Sequence, residues 1–456
     1  MKSNGVHFLP GDVLYGRLRP YLNKVYRADF EGACSAEFIV FGSSQHLDSD
    51  FLKYLLHQRS FVSFASHIVS GDRPRVDFDA ISDFSLGLPP TNEQERIVAK
   101  IDELLSDIDK GEENLKRVQV LLKCYRQSVL KAAVTGEQTR DWREKHGSEG
   151  EKGEDLLKRI IQARREAWEA QELAKMSAKG HKPKNDKWKE KYKEPEGPDT
   201  TNLPELPEGW VWCRLGQIGK VTGGLTKNSK RAELPKLFPY LRVANVYANR
   251  LELNEIHEIG VKESELERVL LKEGDLLVVE GNGSLEQIGR VAIWDGSVSH
   301  CVHQNHLIKV RFLIDSLSYY SLIWMLSPLG REKIQKVSSS TSGLHTLSIS
   351  KVKSIPVPLP PCDEIDPIID KFEAMTSTAI AAEMQLIEEI KRSVGLRQSI
   401  LKSAFSGKLV PQDPNDEPAS VLLERIKAEM ESRPKASGRR GRPRKARKKD
   451  NKEAAA

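Results

Sequence analysis

The chain has 456 residues, enough for two to four domains that each bury a core. It is 39% hydrophobic and 30% charged, which suits long exposed helices beside globular parts, and no run of about 18 apolar residues marks a membrane span. The formal net charge of +6 misleads: ten Lys or Arg and no acid lie between Arg433 and Lys449, leaving −4 elsewhere, so the chain is not a uniformly basic nucleic-acid binder.

Residues 1–87 read as mixed α/β structure. Gly11-Asp12-Val13-Leu14-Tyr15 reads as a turn entering a strand, Glu37 to Phe41 as a short apolar strand, and Phe51 to Phe64 as one helix. Residues 88–136 form a long helix. Ile97, Ile101, Leu104, Ile108, Leu115, Val118, Leu122, Tyr125 and Val129 follow an a/d heptad seam. Thr91 or Asn92 can cap it and Gly136 can end it. Roughly 40 helical residues span about 60 Å. Residues 137–203 hold a charged helix from about Glu154 to Lys175 and a stretch that reads as a solvated linker.

Residues 204–358 form a second globular unit, opened by Leu206-Pro207-Glu208-Gly209-Trp210. Its strands are expected at Tyr240–Ala244, Asp275–Val279, Val291–Trp294 and Leu307–Val310, with a helix over Tyr319–Leu326. Residues 359–407 are a second long helix, 408–432 a helical segment, and 433–456 a basic disordered tail.

The chain repeats itself. Leu88 to Gly136 returns as Leu359 to Gly407 at a constant offset of 271, and Gly11-Asp12-Val13-Leu14 returns as Gly274-Asp275-Leu276-Leu277. A repeat present twice predicts two related halves with pseudo-twofold symmetry. In the second helix Ile368, Phe372 and Met375 keep the seam's phase, whereas Ile387, Ile390 and Val394 slip by one position, which predicts a stutter. The halves are unequal: about 70 residues of the second unit precede its Gly-Asp turn, against ten in the first. The first unit is therefore expected to be N-terminally incomplete.

The sequence offers no candidate active site. Gly281-Asn282-Gly283-Ser284 lacks the Lys and Ser/Thr of a phosphate loop. His303 and His306 have opposite parity on their strand, which argues against shared metal ligation. Five cysteines lie far apart without a C-x-x-C pair, favouring a reduced, cytosolic setting. Arg440-Gly441-Arg442-Pro443-Arg444 reads either as an AT-hook core for a narrow A·T minor groove, or as a basic tail that touches phosphates alone.

The duplicated Leu-Pro-Pro start and Arg-Gln-Ser-[Val/Ile]-Leu-Lys exit of the helices resemble the specificity subunit of a type I restriction-modification system. So do Leu206 to Trp210, the Gly-Asp-[Val/Leu]-Leu turns, Ile288 to Val291, and Gln304-Asn305-His306. The resemblance implies an α+β fold: two target-recognition domains separated by two long helices in an antiparallel coiled coil. It implies a non-catalytic cytoplasmic protein of a bacterium or archaeon that reads a bipartite, asymmetric double-stranded DNA target. It further implies two modification subunits, which use S-adenosylmethionine, and restriction subunits as partners, with no cofactor on this chain and no membrane.

Candidate DNA-binding residues are Asn282, Ser284, Arg290, Gln304, Asn305, Ser342 and His345 in the second domain. Arg17, Arg19, Asn23, Arg73 and Arg75 are their parallels in the first, and Arg440, Arg442 and Arg444 belong to the tail. The Arg-Gln-Ser exits at 126–128 and 397–399 are expected to pack on the partner helix or on modification subunits. The competing readings are a coiled-coil assembly scaffold without DNA specificity, and an enzyme fused to a DNA reader.

Overall fold

The structure is a computed structural model, and it describes residues 5–146, 150–181, 183, 185–341 and 343–432. Within these, residues 5–116 with 387–432 form one compact unit and 117–386 a second. Each long helix, Thr91–Val134 and Cys362–Phe405, contributes to both units. The mixed α/β composition matches the expected fold class.

The first unit is built on an antiparallel sheet in the order Val25–Arg27, Val13–Gly16, Phe38–Phe41. Gly11 adopts a φ of +91° that favours glycine, and Asp12 accepts hydrogen bonds from Leu9 N (2.8 Å) and Ser43 N (2.9 Å). The Gly-Asp pair thus serves as a turn lock at the strand entrance. Val13, Tyr15, Leu55, Leu56, Phe61, Ala65, Val76 and Ile81 form the core.

The single helix expected over Phe51–Phe64 is two helices, Ser49–His57 and Arg59–His67, broken at Gln58, whose ψ is 137°. The apolar phase runs through the break, so periodicity alone could not reveal it. The second unit breaks at the matching place. Ser327 (ψ 154°) separates Ser316–Leu326 from Pro328–Val337, and its hydroxyl accepts from Gly330 N.

The second unit carries an antiparallel sheet in the order Val291–Ile293, Leu276–Val279, Leu307–Phe312, Gly219–Gly223. Leu276, Val278, Ile308 and Val310 face one core, while Leu277, Val279 and Leu307 face another with Trp294. Burial on both faces explains why Leu276-Leu277-Val278-Val279 does not alternate with polar residues. Gly274 (φ +83°) and Asp275, which accepts from Lys272 N at 2.7 Å, repeat the turn lock. A second sheet joins His257–Gly260, Leu237–Leu241 and Val302–His303.

Two further expectations are corrected. The strand expected over Tyr240–Ala244 lies at Leu237–Leu241, and Val243–Asn245 is a 3-10 turn closed by Asn245 Oδ1 accepting from Arg242 N. The linker is partly packed. Trp188 is buried, and its ring stacks 6.0 Å from that of Trp168 on helix Gly153–Ala178. Two large indoles outweigh the surrounding charges.

The long helices run antiparallel within each unit. In the first, Ile97 and Ile101 pack with Ile400, Leu401 and Ala404, while Arg397 pairs with Asp109 (2.5 Å) and Glu112 (3.3 Å). In the second, Arg126 pairs with Glu383 at 2.6 Å. Both exit arginines therefore engage the facing helix.

The heptad seam is narrower than its sequence pattern. Val118 and Tyr125 hold seam positions in the sequence but are exposed. Ile387 and Val394 are exposed too, and Ser393 donates to Glu112 in the seam instead.

Candidate nucleic-acid interface

A short ladder of strands continues from the end of each Gly-Asp strand. In the second unit Gly281–Asn282 pairs with Leu344–Thr346, which pairs in turn with Ser339–Thr341. This register places Asn282, His345 and Ser340 in one row. Asn282 Oδ1 accepts from Ser284 N at 2.9 Å, a local turn that leaves the amide nitrogen of Asn282 able to donate outward, and Ser284 is exposed.

The first unit builds the same ladder. Leu18 bridges Arg75, Val76 N donates to Arg17 O and Arg19 N to Pro74 O. In the second unit Gly281 pairs with Thr346 and Leu347 N donates to Glu280 O. The offsets 263 and 271 relate the two, so Arg19 stands where Asn282 stands and Pro74 where His345 stands. Arg17, Arg19 and Arg75 thus lie at the first unit's bridge, and Asn282 and His345 on the second unit's ladder, whereas Asn23, Arg73, Ser284, Arg290, Gln304 and Asn305 lie off them.

Several of those side chains are already engaged. Arg17 Nε donates to Val76 O at 3.0 Å and Arg75 pairs with Glu37. Asn23 Nδ2 lies 3.0 Å from His57 Nδ1, and Asn23 itself takes a φ of +42° at the end of a 3-10 turn. Arg19 and Arg73 are exposed. Gln304 Oε1 accepts from Val243 N at 3.4 Å, and Asn305 is held through its backbone N to Leu225 O at 2.9 Å. Ser342, Arg440, Arg442 and Arg444 lie outside the described residues.

Arg290 has a setting that the sequence did not reveal. Its guanidinium carbon lies 5.0 Å from the Tyr247 ring centroid, and that of Arg250 lies 5.0 Å from the same centroid. Tyr247 and Arg250 belong to a hairpin, Val246–Tyr247 with Arg250–Leu251, turned through Asn249 at φ +52°. Arg290 Nε is buried without a hydrogen-bond partner. Cation–π packing orders two guanidiniums on one aromatic surface, a pre-organised arrangement for guanine edges or phosphates. An Asn at the left-handed corner of a two-residue loop was the available signal.

The histidines divide as their parity predicts. His303 is fully buried, with Nδ1 2.8 Å from Leu307 O and Nε2 unpartnered. Burial, helped by the nearby Lys309 ammonium, drops its pKa to about 3. His306 is exposed and lies 2.9 Å from Glu280. Among the described residues no group of three or more His, Cys, Asp or Glu could hold a metal ion, and no helix is long and apolar enough to cross a membrane.

The profile of the type I restriction modification DNA specificity domain matches residues 11–117 and 207–392. The EcoKI type I restriction enzyme specificity subunit of Escherichia coli K12 is 29% identical over 83% of this chain and 70% of its own length. The EcoDI specificity subunit of Escherichia coli is 26% identical over 78% of this chain and 71% of its own. A chain from a solved type I R-M system, in work on complex assembly and conformational transition, aligns with a TM-score of 0.62. It is 17% identical, over 90% of this chain and 85% of that one. The HsdS subunit of Thermoanaerobacter tengcongensis aligns at 0.50, with 18% identity over 88% and 82%. At these identities the structural matches show the fold. With the profile matching both repeated halves, the chain belongs to the type I restriction-modification DNA specificity family, as a specificity subunit.

Proposed function

We propose that this subunit reads a bipartite, asymmetric DNA target with its two ladders, one half-site each. It recruits two modification subunits and the restriction subunits, and the methyl transfer with S-adenosylmethionine and the DNA cleavage belong to those partners. The observation that carries the reading is the pairing of strands at equivalent positions with different side chains, Arg19 and Arg75 in one unit and Asn282, Ser340 and His345 in the other. Equal placement suits one docking geometry. Unequal chemistry suits two different base sequences, because arginine favours guanine and asparagine favours adenine. Two helices of 44 residues, each about 66 Å long, suit a fixed unread spacer.

Recruitment is supported by apolar side chains on the second unit's helix segments. Val120, Leu121 and Met384 are 62%, 66% and 65% exposed. Large exposed apolar side chains on a helix suit protein–protein contact.

The test is methylome sequencing of the host with and without this gene. Gene-dependent adenine methylation at a two-part sequence is expected. A methylome that does not change would favour the scaffold reading. At residue level, R290A and R250A are each expected to weaken binding of the assembled methyltransferase to its specific duplex by about 1–3 kcal/mol, measured at one fixed salt concentration. Equal losses on unrelated DNA would show phosphate contact rather than base reading.

A further inference from the structure

We propose that the second unit binds a nucleoside polyphosphate, with its phosphates in a cationic cleft and its base in an adjoining aromatic one, away from the DNA ladder. The strand register builds the first cleft. Lys220 pairs with Arg311, and Thr222 with Lys309, across strands Gly219–Gly223 and Leu307–Phe312. Alternation puts these four side chains on one face of the sheet, while Val221, Ile308 and Val310 enter the core on the other. Helix Glu263–Val269 adds Arg268, and the cleft so lined encloses about 760 Å³. Arg311 sits beside Asp275, and Asn282 of the DNA ladder lies about 20 Å further along that strand.

The cleft is short of negative charge. Lys309 is only 3% exposed, and its ammonium donates to two carbonyls, Arg268 O at 2.9 Å and Leu270 O at 2.8 Å. Among the described residues no carboxylate lies within ion-pair distance of it. Asp275 is already taken by Arg311, at 2.6 Å through each oxygen. Glu263 and Glu267 are exposed on the rim. Burial pushes the Lys309 pKa down to about 8. A buried ammonium without a counter-ion is costly, and an anion in the cleft would relieve that cost. An ammonium has three donors, so one remains for such a ligand. Thr222 Oγ1, in the same lining, is buried without a hydrogen-bond partner.

The neighbouring cleft supplies the other half of the ligand's chemistry. It encloses about 260 Å³ and shares Gln171, Lys220 and Arg311 with the first, so the two adjoin. Its wall holds Trp168 and Tyr192, both half-buried, with ring centroids 5.3 Å apart. Arg164 lines it too, donating to Gly216 O and to Gln217 O at 2.6 Å. Arg164 is a second part-buried cation whose acceptors are carbonyls, and burial lowers its pKa. Aromatic faces stack bases with little regard to which base is present, and flanking cations hold phosphates. A planar base joined to two or more phosphates matches both compartments at once, where a lone phosphate fills only one.

The test is isothermal titration of the full chain, at fixed salt, with ADP, GDP, CDP and UDP, and with pyrophosphate and adenosine alone. At least one nucleoside diphosphate is expected to bind with a Kd below about 0.1 mM, and pyrophosphate and adenosine each at least about tenfold more weakly. Lys309→Met keeps the volume of a buried side chain, and Lys220→Glu changes an exposed one that folding does not need. Each is expected to weaken the nucleotide by about tenfold or more. No binding by any of the four diphosphates would overturn the proposal. Pyrophosphate binding as tightly as the best diphosphate would overturn the base compartment and with it the nucleotide. A Kd unmoved by both substitutions would overturn the assigned place. Displacement of the nucleotide by an unrelated DNA duplex, with Lys220→Glu weakening both alike, would overturn it in favour of a contact to the DNA backbone.

Discussion

Replacing Glu364 by alanine will destabilise the second unit by about 3–5 kcal/mol, because it leaves the part-buried Arg143 without its counter-ion and the buried Trp210 and Thr139 donors without this acceptor. Glu364 is fully buried at the start of the second long helix. Its Oε2 accepts from Trp210 Nε1 at 2.8 Å, and its Oε1 accepts from Thr139 Oγ1 at 2.5 Å and from the Arg143 guanidinium. Arg143 also donates to Gly136 O at 2.6 Å. One carboxylate thus ties the second helix to the chain leaving the first helix and to the Trp that opens the second globular unit. E364Q keeps an acceptor and the volume but removes the charge that balances Arg143, so an intermediate loss is expected. Urea unfolding followed by tryptophan emission checks both variants, with the two units treated as separate transitions. A loss under about 1 kcal/mol for the alanine variant would show that the surrounding structure relaxes to satisfy these groups.

Acid will weaken the same unit through His303. In the unfolded chain the imidazole titrates near 6.5; in the folded unit it titrates at about 3, chiefly because burial disfavours its charged form. Between these values the unfolded state binds a proton that the folded state refuses. The contribution of His303 is therefore complete above about pH 6.5 and is lost as the pH falls toward 3. The loss amounts to about 2 kcal/mol by pH 5 and approaches about 5 kcal/mol near pH 3. H303N retains a donor for Leu307 O and cannot titrate, so its stability should depend less steeply on pH across that window. An unchanged slope would mean that other groups carry the acid response.

The sequence displayed the parts of this fold that depend on local chemistry. The Gly-Asp turns were legible because a left-handed glycine and a capping aspartate act within three residues. The long helices were legible because apolar spacing repeats over many turns. Gly136 and Gly407, with φ of +68° and +69°, end them alike. What the sequence concealed depends on partners remote in the chain. The break at Gln58 interrupts an apolar phase that continues past it. Val118 keeps its seam position in the sequence yet is exposed.

The same limit applied to the interface. Arg17 and Arg75 look like free cations in sequence, yet residues 59 and 38 positions away engage them. Arg290 looked like one more loop arginine until the Tyr247 hairpin was placed beside it. Asn282 and His345 lie 63 positions apart, and only the ladder register makes them neighbours.

The most direct test of the two-ladder account is selection from random duplex DNA by the methyltransferase assembled around this subunit. The account predicts a consensus of two parts at one fixed spacing. It also predicts that Asn282→Ala with His345→Ala erases one part while the other part and the spacing persist. A selection that yields no consensus, or one that the double substitution leaves intact, would contradict it.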